Sequence, residues 1–236
     1  MKKILILIAT VSLLFACDKT ENEQDIMDAF FGDGAEDTRL RPEVYGQMQP
    51  STNVYLQEFT SAATSDWAEK NDEYSLTGYA NGELVIQGKQ SHYTWKGIPN
   101  LNQNVDFQIE LRVLFNFTAI TSAEPFMGVI WGVDDNATTM NYLALISNDK
   151  NTVEIGNYVS KNNTVLYNKP SGLAKNVHHT YTLRKVENMM YLFEDKSFVY
   201  KINFKPFTSN YGFMVYKNGI ISVDYVRVDY IEAGSK

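Results

Sequence analysis

The stretch VDFQIELRVLFNF, residues 105–117, is the clearest β-strand in the sequence. Successive side chains of an extended chain point to opposite faces, so alternation separates them into two sets. The apolar set is Phe107, Ile109, Leu111, Val113, Phe115 and Phe117, and the polar set is Asp106, Gln108, Glu110, Arg112 and Asn116. The pattern predicts a long strand with one dry face and one wetter face.

Short runs rich in Val, Ile, Tyr and Phe continue on both sides of this strand, separated by Asn, Asp, Gly and Pro. Asn81-Gly82 predicts a tight hairpin, because both central positions of that turn need positive φ. No amphipathic helical pattern interrupts the series, which predicts two packed antiparallel sheets in an all-β domain. The other predicted strands are residues 54–59, 74–79, 83–88, 91–95, 126–133, 141–147, 153–160, 164–168, 179–186, 189–193, 198–204, 211–216 and 220–230.

The N-terminus has the layout of a secretory signal, with a basic start at Lys2-Lys3, an apolar run over residues 4–15 and a small residue after it. The run is shorter than the roughly 20 apolar residues that span a bilayer. Its end, Leu14-Phe15-Ala16-Cys17, resembles the lipobox of bacterial lipoproteins. The resemblance implies cleavage before Cys17, the only cysteine in the chain, and attachment of acyl lipid such as palmitate, which anchors the protein to a membrane.

Residues 18–50 are acidic and polar, with poor apolar periodicity, which predicts a flexible tether. The acidic residues directly after Cys17 resemble the surface-export signal of Bacteroidetes lipoproteins, which implies the outer membrane and its outer face. The predicted organisation is a signal peptide over residues 1–16, a lipidated cysteine and tether over 17–50, and a β-sandwich over 51–236. A formal net charge of −7 disfavours binding to nucleic acid.

The order of the sandwich segments resembles the concanavalin A-like lectin and glucanase superfamily, which includes laminin-G-like modules. The resemblance implies a jelly-roll sandwich in which one sheet is concave and commonly receives glycans. Most of the matching residues are core and turn residues, which specify a fold and not an activity. The segments that carry the resemblance are Asp66-Trp67 and residues 76–86, 107–110, 128–132, 142–146, 181–185, 211–213 and 223–228.

A two-carboxylate hydrolase is disfavoured. A glucanase of this superfamily should carry Glu-x-Asp-x-x-Glu on one strand, yet no two acidic residues lie two positions apart after residue 50. Asp106 and Glu110 share a face, but four residues of strand separate them by about 13 Å, and paired catalytic carboxylates lie about 5 to 9.5 Å apart. Carboxylates from different strands remain an alternative route to a hydrolytic site.

Exposed aromatic residues are the better candidates for a ligand site, because a tyrosine ring can stack on a sugar while its hydroxyl stays hydrated. The candidate ligand residues are Tyr93, Trp95, Tyr142, Glu154, Tyr158 and Tyr216. No catalytic residue is assigned and no cofactor is required. Asp134-Asp135-Asn136 offers oxygen ligands for a structural calcium ion, although a turn whose side chains bond the local backbone is the favoured interpretation.

The leading functional hypothesis is a lipid-anchored, non-catalytic module of the cell envelope that binds a glycan or another surface partner. A glycoside hydrolase or related sugar-processing enzyme of the same fold is the first alternative. A structural or assembly subunit that docks on another envelope protein is the second.

Overall fold

A computed structural model gives the structure of this protein. It describes residues 40–62, 65–122, 125–147, 151–160, 162–172, 174 and 176–233. Cys17 and most of the predicted tether lie outside these ranges. The described residues form a short 3₁₀ helix, Tyr45–Gln47, and fifteen strands. The strands are β1 Met48–Glu58, β2 Lys70–Asn71, β3 Ser75–Ala80, β4 Glu83–Gly88, β5 His92–Gly97, β6 Phe107–Asn116, β7 Phe126–Trp131, β8 Thr139–Ile146, β9 Thr152–Val159, β10 Asn162–Pro170, β11 His178–Val186, β12 Met189–Glu194, β13 Ser197–Asn203, β14 Asn210–Val215 and β15 Ile220–Ala233.

The strands form two antiparallel sheets packed face to face, which confirms the predicted jelly-roll sandwich. The nine-stranded sheet has the order β13-β12-β11-β6-β15-β4-β3-β2, and β1 pairs with β15. The six-stranded sheet has the order β10-β9-β8-β7-β14-β5. Within the described ranges, no helix is long and apolar enough to cross a membrane.

The alternation of β6 places its apolar residues between the two sheets. Phe107, Ile109 and Val113 are fully buried in the main core, against residues such as Val129 and Leu143 of the six-stranded sheet. The dry face of this strand is therefore confirmed. The Asn81-Gly82 hairpin is also present, because both residues have positive φ between the paired strands β3 and β4.

The opposite face of β6 is drier than its sequence predicts. Gln108 is 5% exposed, because residues 41–47 pack over the outer face of the nine-stranded sheet. The predicted start of the sandwich at residue 51 falls inside β1, whose first residue, Met48, already pairs with Ala233.

Candidate functional site

Five of the six candidate ligand residues share one face of the six-stranded sheet, the face turned away from the main core. Tyr93 and Trp95 lie on β5, Tyr142 on β8, and Glu154 and Tyr158 on β9. We call this surface the concave face. It has its own apolar cluster, in which Ile130, Val133, Met140, Tyr142, Ala144 and Met214 are buried.

Small residues allow this sheet to curl strongly. A Cβ added at Gly128, Gly156 or Gly212 would come closer than 3.0 Å to atoms of a neighbouring strand. Each glycine lies on the concave face, because its partner on the neighbouring strand is a residue of that face. Close approach of adjacent backbones on one side of a sheet is what concave curvature requires.

The curvature brings two distant tyrosines together. Tyr93 and Tyr158 lie on strands four positions apart, which a flat sheet would hold about 19 Å apart. Their ring centroids are nevertheless only 6.5 Å apart. The two rings are half-buried and cover the apolar cluster, while Trp95 packs beside them. The result is an aromatic surface in the middle of the concave face.

A polar network borders these rings on the β9 and β10 side. The Tyr142 hydroxyl donates to Glu154 Oε1 at 2.8 Å and lies 2.9 Å from Asn163 Oδ1. Asn168 Nδ2 donates to Glu154 Oε2 at 2.9 Å. Burial, and then the hydrogen bond to Glu154, raise the pKa of Tyr142. The phenol therefore stays protonated and donating, and the Asn side chains remain exposed beside it.

Glu154 is the only acidic residue in the six strands of this sheet. The concave strands thus lack a second carboxylate that would complete the pair used in glycoside hydrolysis. Both Glu154 oxygens already accept hydrogen bonds from neighbouring side chains. This arrangement is suited to orienting hydroxyl groups of a ligand.

Tyr216 does not join this cluster. It lies one residue beyond the end of β14, where its ring packs edge-on against Phe126 with centroids 5.4 Å apart. It also packs against the main core. The end of the strand separates it from Tyr93 and Tyr158.

The Asp134-Asp135-Asn136 segment forms a turn. Asp134 Oδ1 accepts hydrogen bonds from the backbone N–H groups of Thr138 at 2.6 Å and Thr139 at 3.2 Å, and the Thr138 hydroxyl donates to Oδ2. These bonds lower the pKa of Asp134, with that of the Thr138 hydroxyl first among them. Asp135 and Asn136 are exposed. In the described part of the chain, no three His, Cys, Asp or Glu side chains converge as metal ligands.

The sequence reasoning missed a second concavity, a cleft of about 840 Å³ between the two sheets. We call it the inter-sheet cleft. Its walls include Asn141 and Asn157 on one side, and Tyr200, Ile202 and Phe207 on the other. Both asparagines occupy core-facing positions of their strands, which is a signal that the alternation of β8 and β9 could have revealed.

Comparison with known proteins identifies the fold. No protein-family model matches the sequence, and no curated protein matches it either. Among solved structures, a xylan β-1,4-xylosidase from Bacillus halodurans C-125 matches with a TM-score of 0.53 and 14% identity, over 74% of this chain and 38% of that one. An endo-β-1,3-glucanase from Pyrococcus furiosus has a TM-score of 0.47 and 14% identity, over 77% of this chain and 95% of that one.

A carbohydrate-binding module from Bacillus subtilis, CBM66, is also similar, with a TM-score of 0.38 and 12% identity over 80% of this chain and 96% of that one. This chain spans less than half the length of the xylosidase. At these identities the likeness to the xylosidase concerns the sandwich fold alone. The activity of the chain has to be argued from its own side chains.

Proposed function

We propose that this protein is a lipid-anchored, non-catalytic module of the bacterial cell envelope that binds a glycan on its concave face. The observation that carries the proposal is the convergence of Tyr93, Trp95 and Tyr158 on one curved surface. Aromatic rings stack on the apolar faces of sugar rings, and half-buried rings can do so with little loss of side-chain freedom. Glycans are also what two of the similar structures are named for binding or cleaving.

The polar border adds the second requirement of sugar recognition. Glu154, Asn163 and Asn168 place acceptors and donors within reach of a ligand stacked on the rings. A few fixed polar groups beside an apolar surface give orientation and specificity to small-ligand sites. Because this border holds a single carboxylate, it favours binding over two-carboxylate hydrolysis.

The position of the N-terminal segment fits an anchored module. Residues 41–47 lie on the outer face of the nine-stranded sheet, which is the far side of the sandwich from the concave face. The described chain therefore enters the sandwich on the side opposite the concave face. We propose the outer membrane as the site of anchoring.

Glycan binding by the full chain, purified in detergent, tests the proposal. We expect selective binding on a glycan array, and at least about tenfold weaker binding after Tyr93→Ala or Tyr158→Ala, because hot-spot rings carry much of the binding energy. Phe198→Ala is the matched control, since Phe198 is an exposed ring on the other sheet. Binding that survives both tyrosine changes would refute the concave-face site. Release of reducing sugar that is lost in Glu154→Gln would favour a hydrolase instead.

The anchor has a separate test in cells grown with radiolabelled palmitate. The wild-type protein should become labelled, and the labelled protein should sediment with the outer membrane. Cys17→Ser should carry no label and should leave the membrane fraction. An unlabelled wild-type protein would remove lipidation from the account while leaving the glycan site untouched.

A further inference from the structure

The inter-sheet cleft exposes polar groups where a sandwich normally buries apolar ones. Asn141 of β8 and Asn157 of β9 are cross-strand partners. Asn141 lies two positions from the core residue Leu143, and Asn157 lies two positions from the core residue Ile155. Each pair shares one face of its strand, so the asparagine side chains point between the sheets. Both are half-buried, and neither side-chain amide has a hydrogen-bond partner among the described residues. Both amides are therefore free to bond a ligand that enters the cleft.

The two amides together form a defined recognition edge. Each offers one carbonyl acceptor and an NH₂ group with two donors. The amides are uncharged. Among the charged residues that line the cleft, the Asp134 carboxylate bonds its own turn, the Lys201 ammonium lies 5.9 Å from the centroid of the Tyr191 ring, and Lys205 is exposed. The edge therefore suits neutral hydroxyl or carbonyl groups.

Several apolar side chains line the rest of the cleft, together with polar ones such as Asn203 and Thr208. Trp131 and Met190, which are 2% and 1% exposed, are among the most buried of these apolar residues. Ile202 of β13 and Phe207 line the wall opposite the amides. The loop that carries Phe207 is held in place by Gln103, which exchanges two hydrogen bonds with the Phe207 backbone at 2.8 and 3.0 Å. The volume lies within the range of about 300 to 1,000 Å³ typical of small-ligand sites.

We propose that the inter-sheet cleft is a second binding site, which accepts a terminal neutral sugar residue. The ring hydroxyls bond the Asn141 and Asn157 amides, and the apolar face of the sugar packs against Ile202 and Phe207. A cleft of about 840 Å³ between two packed sheets has room for a monosaccharide or the end of a chain. The inference stands on the cleft alone and does not depend on the concave face.

Titration of the ¹⁵N-labelled full chain in detergent tests this site. The probes are glucose, galactose, mannose, xylose and N-acetylglucosamine, each added to millimolar concentration. We expect one or more of them to shift the side-chain amide signals of Asn141 and Asn157. Failure of all five sugars to do so would overturn the proposal.

Substitution separates a ligand site from a structural one. Asn141→Leu and Asn157→Leu should each weaken binding about ten- to hundredfold, since a ligand hydroxyl then loses its partner. The same changes should leave the midpoint of denaturant unfolding unchanged or raise it, because they remove no hydrogen bond within the described chain and add apolar surface to the cleft. Lower midpoints, or unchanged sugar binding, would contradict the proposal.

Asn53→Leu is the control for these substitutions. The Asn53 amide is already paired, with Asp229 Oδ1 at 2.9 Å and Val228 O at 3.3 Å. Its replacement should lower the unfolding midpoint and leave sugar binding unchanged. None of these residues lies on the concave face, so the outcome is independent of the tests of Tyr93 and Tyr158.

Discussion

The outer faces of the two sheets are covered in different ways. On the nine-stranded sheet, residues 41–47 return over the surface, and the fully buried Arg184 holds them through hydrogen bonds to the carbonyls of Pro42 and Tyr45. On the six-stranded sheet, the described residues cover the concave face with side chains alone. Tyr93 and Tyr158 lie over it, and their rings stay half-exposed.

The difference lies in how firmly the chain closes each face. The Arg184 guanidinium lies between the rings of Tyr45 and Phe193, 4.7 and 4.8 Å from their centroids, and bonds Gln108 as well. Glu110 accepts the Tyr45 hydroxyl in the same network, and burial followed by this bond raises the pKa of Tyr45 to about 12. The concave face has no comparable cover from the described chain, so its rings remain available to a ligand.

The largest expected effect is on the covered face. Arg184→Met should lower the free energy of unfolding by about 4 kcal/mol, because it leaves several buried acceptors unpaired. Denaturant unfolding measures this loss. Arg112→Met, which removes an exposed ion pair with Asp224, should cost about 1 kcal/mol or less. Equal losses in the two variants would mean that Arg184 does not hold the N-terminal segment.

Glu194 is a buried acidic residue with fewer hydrogen bonds than Arg184. It is 6% exposed, and its Oε1 has no hydrogen-bond partner in the described chain. Burial raises its pKa from 4.5 to about 7. The raised value means that its contribution to stability is full below pH 4.5 and is lost as the pH rises towards 7.

Replacing Glu194 should therefore remove this pH dependence. Glu194→Gln should unfold with a free energy about 3 kcal/mol higher than the wild type at pH 8, and with little difference at pH 4. Unfolding curves recorded from pH 4 to 8 test this. The exposed Glu232→Gln variant should keep the slope of the wild type. A wild type whose stability rises between pH 5 and 7 would contradict the assignment.

The next prediction concerns the curvature of the six-stranded sheet. Gly212→Ala should cost about 2 to 3 kcal/mol, since its Cβ would meet the backbone of β5. It should also weaken glycan binding by moving Tyr93 away from Tyr158. Gly78→Ala, on the nine-stranded sheet, is the matched control, because nothing lies within 4 Å of the added Cβ. Unfolding and binding should be measured on both variants. The comparison separates the effect of close backbone approach at Gly212 from the general effect of a Gly→Ala change on backbone entropy.

The smallest effect concerns the polar border. Tyr142→Phe removes the hydroxyl bonded to Glu154 and should cost about 1 kcal/mol in unfolding free energy. Glu154 keeps its bond from Asn168, so the fold should be retained. Binding should weaken severalfold as the border loses its order. Unchanged binding and stability would show that the network has no role.

The sequence predicted the strands well because alternation depends only on near neighbours. All fourteen predicted strands are present, and β2, a pair of residues, is the strand that was missed. The aromatic candidates on one face could be chosen for the same reason, since Tyr93, Trp95 and Tyr158 alternate with residues that face inward. Their meeting could not be predicted, because it depends on the curl of four strand pairs.

The covered face shows the same limit. Gln108 lies on the predicted wetter side of β6, and Arg184 is its cross-strand partner on β11. The burial of both depends on a segment more than 60 residues earlier in the chain. Nothing local in β6 or β11 signals that cover. Long-range packing, rather than periodicity, decides which outer face is closed.

Hydrogen–deuterium exchange of the full chain, with and without a glycan selected on the array, tests the central claim most directly. The account predicts that ligand slows exchange in both β5 and β9, since Tyr93 and Tyr158 on these strands would hold it together. β5 is the diagnostic strand, because it lies outside the inter-sheet cleft. Slower exchange confined to the nine-stranded sheet, with β5 unchanged, would contradict the concave face as the binding surface.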